Sequence, residues 1–201
     1  MPRKPVCASG ETRRQGAIRH ARAALAHGRD DAIALSWGGF NIGMVEHDRD
    51  AAREAFEAAL ALSPSSGITY LLGSSQLGYG GEAERAIEWG ERGQLLSPFD
   101  PFGYTGWHGV FAGNFPLGRY EDAANAARKS VQSNPGFSIS HMLLAGALAK
   151  LGRIDEAKAA AARVLELQPG FRIGEWCAAI DLTPAIAVPL TDALRAAGLP
   201  Q

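Results

Sequence analysis

Four prolines, Pro64, Pro98, Pro135 and Pro169, stand 34, 37 and 34 residues apart, and twelve residues before each stands an alanine: Ala52, Ala86, Ala123 and Ala157. A recurrence at this period describes a stack of similar units, because one unit of that size cannot bury its own apolar face. Each alanine opens an amphipathic run. In residues 51–62, Ala52, Phe56, Ala59 and Leu60 recur at i, i+4, i+7 and i+8 and share one helix face, while Arg53, Glu54 and Glu57 lie off it. Proline disfavours α geometry in the residue before it, so Ser63, Ser97, Asn134 and Gln168 are expected to end these helices. The small alanine lets two helices approach closely, and a bulky replacement would overpack the contact.

The first helices of the units are expected over 33–46, 67–80, 104–117 and 138–151, with Pro116 ending the third early. Gly118-Arg119-Tyr120 and Gly152-Arg153-Ile154 each read as a helix C-cap followed by a packing residue. The organisation is then a disordered tail over 1–10, a leading half-repeat helix in 11–31, four repeats over 32–172, and a C-terminal cap over 173–201 that covers the last apolar face. The expected fold class is all-α: a right-handed α-solenoid of helix-turn-helix repeats with a C-terminal capping helix.

The repeats resemble the tetratricopeptide family over about residues 32–171. Tyr70 and Trp107 stand where that pattern has its first aromatic, Phe56 matches the later one, and the four alanines and four prolines match its fixed positions. Gly90, Ala127 and Ala161 depart from the later aromatic. A narrower likeness covers nearly the whole chain. Leu-Ser-Pro-Phe-Asp-Pro-Phe-Gly-Tyr (96–104), Gly-Arg-Tyr-Glu-Asp-Ala (118–123), Asn-Pro-Gly-Phe (134–137), Leu-Gly-Arg-Ile-Asp-Glu-Ala (151–157) and Leu-Arg-Ala-Ala-Gly-Leu-Pro (194–200) resemble the C-terminal repeat region of bacterial class III adenylate/guanylate cyclases. That resemblance implies a regulatory or scaffolding module without cyclase activity. The unpaired leading helix reads as a mark of a fragment or a stand-alone relative.

Composition removes several classes. The 201 residues carry 20 Lys+Arg against 21 Asp+Glu, a net charge of -1 without the basic excess of a nucleic-acid binder. The two cysteines, Cys7 and Cys177, are too few for a disulfide framework or a cysteine-cluster zinc site. No apolar run approaches the ~20 residues of a membrane helix, and the basic start at 1–7 has no apolar run behind it. A cytoplasmic location is the expectation.

No catalytic constellation is present in the sequence, and neither a cofactor nor a metal site is expected. Gly78-Tyr79-Gly80-Gly81-Glu82-Ala83 has the form G-x-G-x-x-A, with Asp100 twenty residues past Gly80. A dinucleotide turn needs strands on both sides, and the repeat predicts helices there. His20 and His27, seven apart, could share a helix face, but no pair has helical metal-ligand spacing. Glu84, Glu88 and Glu91 follow helix spacing as a solvated face does.

The tetratricopeptide resemblance implies a concave surface lined by the first helices. Register taken from the prolines places Trp37, Asn41, Met44, Leu71, Ser75, Tyr79, His108, Phe115, Met142 and Lys150 on it. Aromatics and methionines there suit an apolar peptide or helix, although part of the set would serve equally as inter-helix core. The reading is a non-enzymatic scaffold that takes a protein or peptide partner, with no nucleic acid and no membrane insertion. The alternatives are a small-molecule or nucleotide sensor using the turn at 78–83, or self-association.

Overall fold

The computed structural model describes residues 12–201. The expected tail over 1–10 and Cys7 lie outside the described residues. Eleven α-helices follow one another: α1 Arg13–His27, α2 Ala32–Asn41, α3 Arg49–Leu62, α4 Gly67–Tyr79, α5 Ala83–Leu96, α6 Gly103–Asn114, α7 Tyr120–Ser133, α8 Ser138–Lys150, α9 Ile154–Leu167, α10 Ile173–Ile180 and α11 Pro184–Ala196. A π-helical turn, Ile42–Glu46, extends α2. No strand occurs among the described residues. The helices from α2 to α9 form four antiparallel pairs stacked as an all-α solenoid. First helices α2, α4, α6 and α8 line one face, and second helices α3, α5, α7 and α9 the other.

The sequence marks act as their chemistry requires. Ser63, Ser97, Asn134 and Gln168 have φ/ψ of -139/84, -141/70, -145/84 and -141/81, all outside the α region, because a proline follows each. Ala52, Ala86, Ala123 and Ala157 are buried where the helices of a pair cross. α6 stops at Asn114, two residues before Pro116.

Glycine sets the closest approaches. A Cβ on Gly78 of α4 would lie 2.8 Å from the Ala112 Cβ of α6, and one on Gly109 would collide with the Ser74 backbone. In this gap Ser74 Oγ donates to the Ala86 carbonyl at 2.7 Å and joins α4 to α5. Gly90 departs from the family aromatic for the same reason: a Cβ there would lie 2.5 Å from Val110 Cγ2.

The leading helix is docked, not free. Arg14 donates to the Val45 carbonyl of the π turn, and Arg22 pairs with Glu46 at 2.8 Å and Asp48 at 3.0 Å. Asp48 also caps α3 through the Ala51 N–H, and that bond, more than Arg22, holds its carboxyl below the usual range.

The C-terminal segment does more than cover the end. Ile186, Leu190 and Leu194 of α11 are buried, with Leu190 packed against Gly146 of α8. The corner between α10 and α11 returns to the first repeats. Asp181 adopts a left-handed φ of 53°, and Thr183 N–H then donates to the Tyr79 carbonyl at 3.3 Å. The expected end cap is therefore also a strap along the inner face.

Candidate functional site

The inner face carries a row of aromatic rings drawn from the first, third and fourth units. Trp37 of α2 stands edge-on to Phe40 at 6.0 Å and to Phe102, just before α6, at 4.8 Å. Phe102 continues to Tyr104 at 6.2 Å, and Tyr104 to Phe137, at the head of α8, at 5.0 Å. Edge-on and tilted contacts at these separations suit the ring quadrupoles.

Beside this row lies a hollow of about 100 Å³. Its wall is Phe40 and Met44 from the first unit, Ser75 and Tyr79 from α4, Tyr104 and His108 from α6, and Phe137 and Ile139 from α8. Trp176 and Ile180 of α10 complete its lining. The π turn changes side-chain register after Asn41, and it is this turn that carries Met44.

The polar groups of the hollow form one directed chain. Tyr79 Oη lies 3.5 Å from His108 Nδ1, and His108 Nε2 lies 3.1 Å from Ser140 Oγ. Ser140 Oγ is 2.8 Å from Ser130 Oγ, which donates to the Tyr104 carbonyl at 3.3 Å. With Ser130 so committed, Ser140 donates to Ser130 and the imidazole Nε2–H donates to Ser140. His108 Nδ1 is then the acceptor for the Tyr79 hydroxyl. Burial pushes His108 down to about 3 and pushes the Tyr79 phenol up, so both are neutral near pH 7. Such a histidine is a poor general base, and Ser140 is fully buried. The chain fixes the side chains that wall the hollow.

The ten residues placed on the groove by register separate in the fold. Met44, Ser75, Tyr79 and His108 meet at the hollow, with Trp37 beside it. Asn41 donates back to the Trp37 carbonyl at 2.8 Å and faces α1. Leu71 is buried against Gly93 and Gly106, where missing Cβ atoms leave it space between α4, α5 and α6. Phe115 is buried in the α6–α7 contact, its ring 5.0 Å from Phe111 and 5.4 Å from Tyr120. Met142 is fully buried in α8, and Lys150 is exposed at its end, 5.2 Å from the Tyr120 ring. Leu71, Phe115 and Met142 are thus core, as helices packed on both sides require.

Phe40, Tyr104, Phe137, Trp176 and Ile180 were not singled out in the sequence. Phe40 follows Trp37 at i+3, and Trp176 and Ile180 are an i, i+4 pair, so a helix-face count carried some signal for these three. Tyr104 and Phe137 stand at helix starts, where periodicity says little.

The turn at 78–83 is no phosphate cradle. Gly80, Gly81, Glu82 and Ala83 N–H groups donate to the carbonyls of Gln76, Gly78, Leu77 and Gly81, so none is free for an anion. Asp100 accepts from the Phe102 N–H at 2.8 Å in its own turn. Among the described residues no His, Cys, Asp and Glu group forms a metal site, and no helix is long and apolar enough to cross a membrane.

Stacked helix pairs with an aromatic inner face define an α-solenoid repeat protein. Family models described as tetratricopeptide repeat match residues 45–101 and 117–174, together more than half of the chain. The chain belongs to the tetratricopeptide-repeat family. No curated protein sequence matches it. Among solved structures, it is similar to a MamA protein at 21% identity and TM-score 0.57, over 85% of this chain and 87% of that one. It is also similar to YrrB, described as a TPR protein with an unusual peptide-binding site, at 17% identity and TM-score 0.56 over 90% and 93%. PilF of Pseudomonas aeruginosa aligns at 14% identity and TM-score 0.61 over 92% and 88%. At these identities the likeness is one of fold.

Proposed function

We propose that this chain is a non-enzymatic interaction scaffold whose inner face takes a peptide or helix of a protein partner. The observation that carries this reading is the aromatic row with its hollow, built by residues from all four units and fixed by a fully paired polar chain. Rigid aromatic walls with few charges to desolvate are what a protein interface core uses. Similarity in fold to YrrB, described as having an unusual peptide-binding site, is in keeping with peptide binding by a chain of this fold. The binding set is Trp37, Met44, Ser75, Tyr79 and His108, joined by Phe40, Tyr104 and Phe137. A regulatory setting in a cyclase-like signalling system, implied by the sequence resemblance, and a cytoplasmic location are part of this proposal.

The test is a peptide-display selection on the full chain, with recovered sequences re-tested on Trp37→Ala and Tyr104→Ala. The expected result is enrichment of apolar, helix-forming peptides that bind both variants at least about tenfold more weakly, as truncated hot spots do. Peptides that bind both variants as well as the parent would move the site off this face.

A further inference from the structure

The hollow is walled in part by the chain's own C-terminal segment. Trp176 and Ile180, one turn apart on α10, complete its lining against residues of the repeats. Polar contacts tie the segment down, among them Cys177 Sγ to Thr191 Oγ1 of α11 at 3.8 Å. Ile173 N–H donates to the Pro200 carbonyl at 3.0 Å, Thr183 N–H to the Tyr79 carbonyl at 3.3 Å, and Arg49 to the Asp181 carbonyl, with the Asp181 carboxylate 3.5 Å away. Yet α10 is lightly held. Only Ile173 of its eight residues is fully buried, whereas α11 buries Ile186, Leu190, Ala193 and Leu194. Closing the corner also leaves Thr183 Oγ1 buried without a hydrogen-bond partner, a penalty that opening would relieve. The left-handed Asp181 supplies a bend at one end of α10, and the bond between Ile173 and Pro200 holds the other.

We infer that α10 is a displaceable lid whose own side chains state what the groove accepts: an amphipathic helix with an aromatic residue at i, an aliphatic residue at i+4 and an acidic residue directly after. The acidic group replaces Asp181 at Arg49, and the apolar pair replaces Trp176 and Ile180. This inference rests on the groove reading above and names its partner's chemistry. A tethered segment competes at high effective concentration, so a free helix binds the closed chain weakly and the opened chain well.

The test uses the full chain and a labelled synthetic peptide of residues 172–183 with Cys177→Ser. Affinity is measured by fluorescence anisotropy on the parent, on Trp176→Ala/Ile180→Ala, and on Asp181→Asn, which takes the lid's own carboxylate away from Arg49 and leaves Arg49 for the peptide. Circular dichroism checks that each variant keeps its helices. The expected result is binding at least about tenfold tighter to the double variant, the factor for a groove open less than about a tenth of the time in the parent. Asp181→Asn shifts affinity in the same direction, and a peptide lacking Trp176 and Ile180 does not bind. Equal affinity for parent and variants overturns the lid while the groove reading stands. Binding to none overturns the inference and leaves the groove to the display selection. A concentration-dependent dimer that disappears in Trp176→Ala/Ile180→Ala overturns it in favour of a second copy as the occupant.

Discussion

Arg49, at the head of α3, donates to the backbone carbonyl of Asp181, 132 residues later in the chain. The contact ties the first repeat to the corner after α10 and turns the end of the solenoid into a strap across its inner face. Its carboxylate arm is half in solvent, with Arg49 27% and Asp181 59% exposed, so its worth is local.

Arg49→Ala is therefore expected to change global stability by less than about 1 kcal/mol. Amide exchange over 174–183 should speed up, while exchange in α11 and in the repeats stays as it was. Native-state hydrogen exchange read by mass spectrometry separates these outcomes. Uniform acceleration along the chain would mean that the corner holds up the whole fold.

Trp37 and Phe115 entered as equal groove candidates, and the fold separates them. Phe115 is buried and stacked on Phe111, so Phe115→Ala should cost about 3–5 kcal/mol in urea denaturation. Trp37 is half-buried on the inner face, and Trp37→Ala should cost clearly less while weakening peptide binding. Equal destabilisation by both would make Trp37 a core residue as well.

His108 gives stability a pH dependence of defined sign. Its folded pKa, lowered to about 3 by burial, lies below the unfolded value of about 6.5. Above the unfolded value the residue contributes no slope. As pH falls from there toward the folded value, the unfolded chain takes up a proton that the folded chain refuses. Stability then drops by up to about 1.4 kcal/mol per pH unit from this group. Urea denaturation between about pH 7 and about pH 4 should show a shallower loss in His108→Gln than in the parent. Identical slopes would show that His108 titrates normally.

Two glycine-to-alanine changes should have opposite signs. A helical glycine usually gains up to about 1 kcal/mol on becoming alanine. In Gly109→Ala the new methyl meets the Ser74 backbone, and a net loss of about 1–3 kcal/mol is expected from overpacking. In Gly174→Ala nothing lies within 4 Å, so α10 gains helix propensity and the lid closes more firmly. Thermal unfolding reads the first change. Weaker binding of the 172–183 peptide reads the second, and tighter binding there would contradict a helical lid.

By itself the sequence determined the repeat. Local chemistry wrote it: a proline forces Ser63, Ser97, Asn134 and Gln168 out of the α region, and an alanine at each pair's crossing leaves room for the neighbouring helix. It also carried the helices that flank the turn at 78–83, where a dinucleotide turn would need strands. Only the tertiary structure decided which apolar residues face a partner. Helical periodicity gives Leu71, Met142 and Tyr79 equal claims, because it defines a face and not what covers it. The glycine gaps put Leu71 between three helices, and the π turn carries Met44 to the hollow. The strap was equally hidden. Trp176 and Ile180 announce an amphipathic turn, but their place over Tyr79 and His108 depends on a bend at Asp181 and a contact with Arg49 far away in sequence. Such contacts follow from how the solenoid curves, and that curvature is the sum of every helix crossing in the chain.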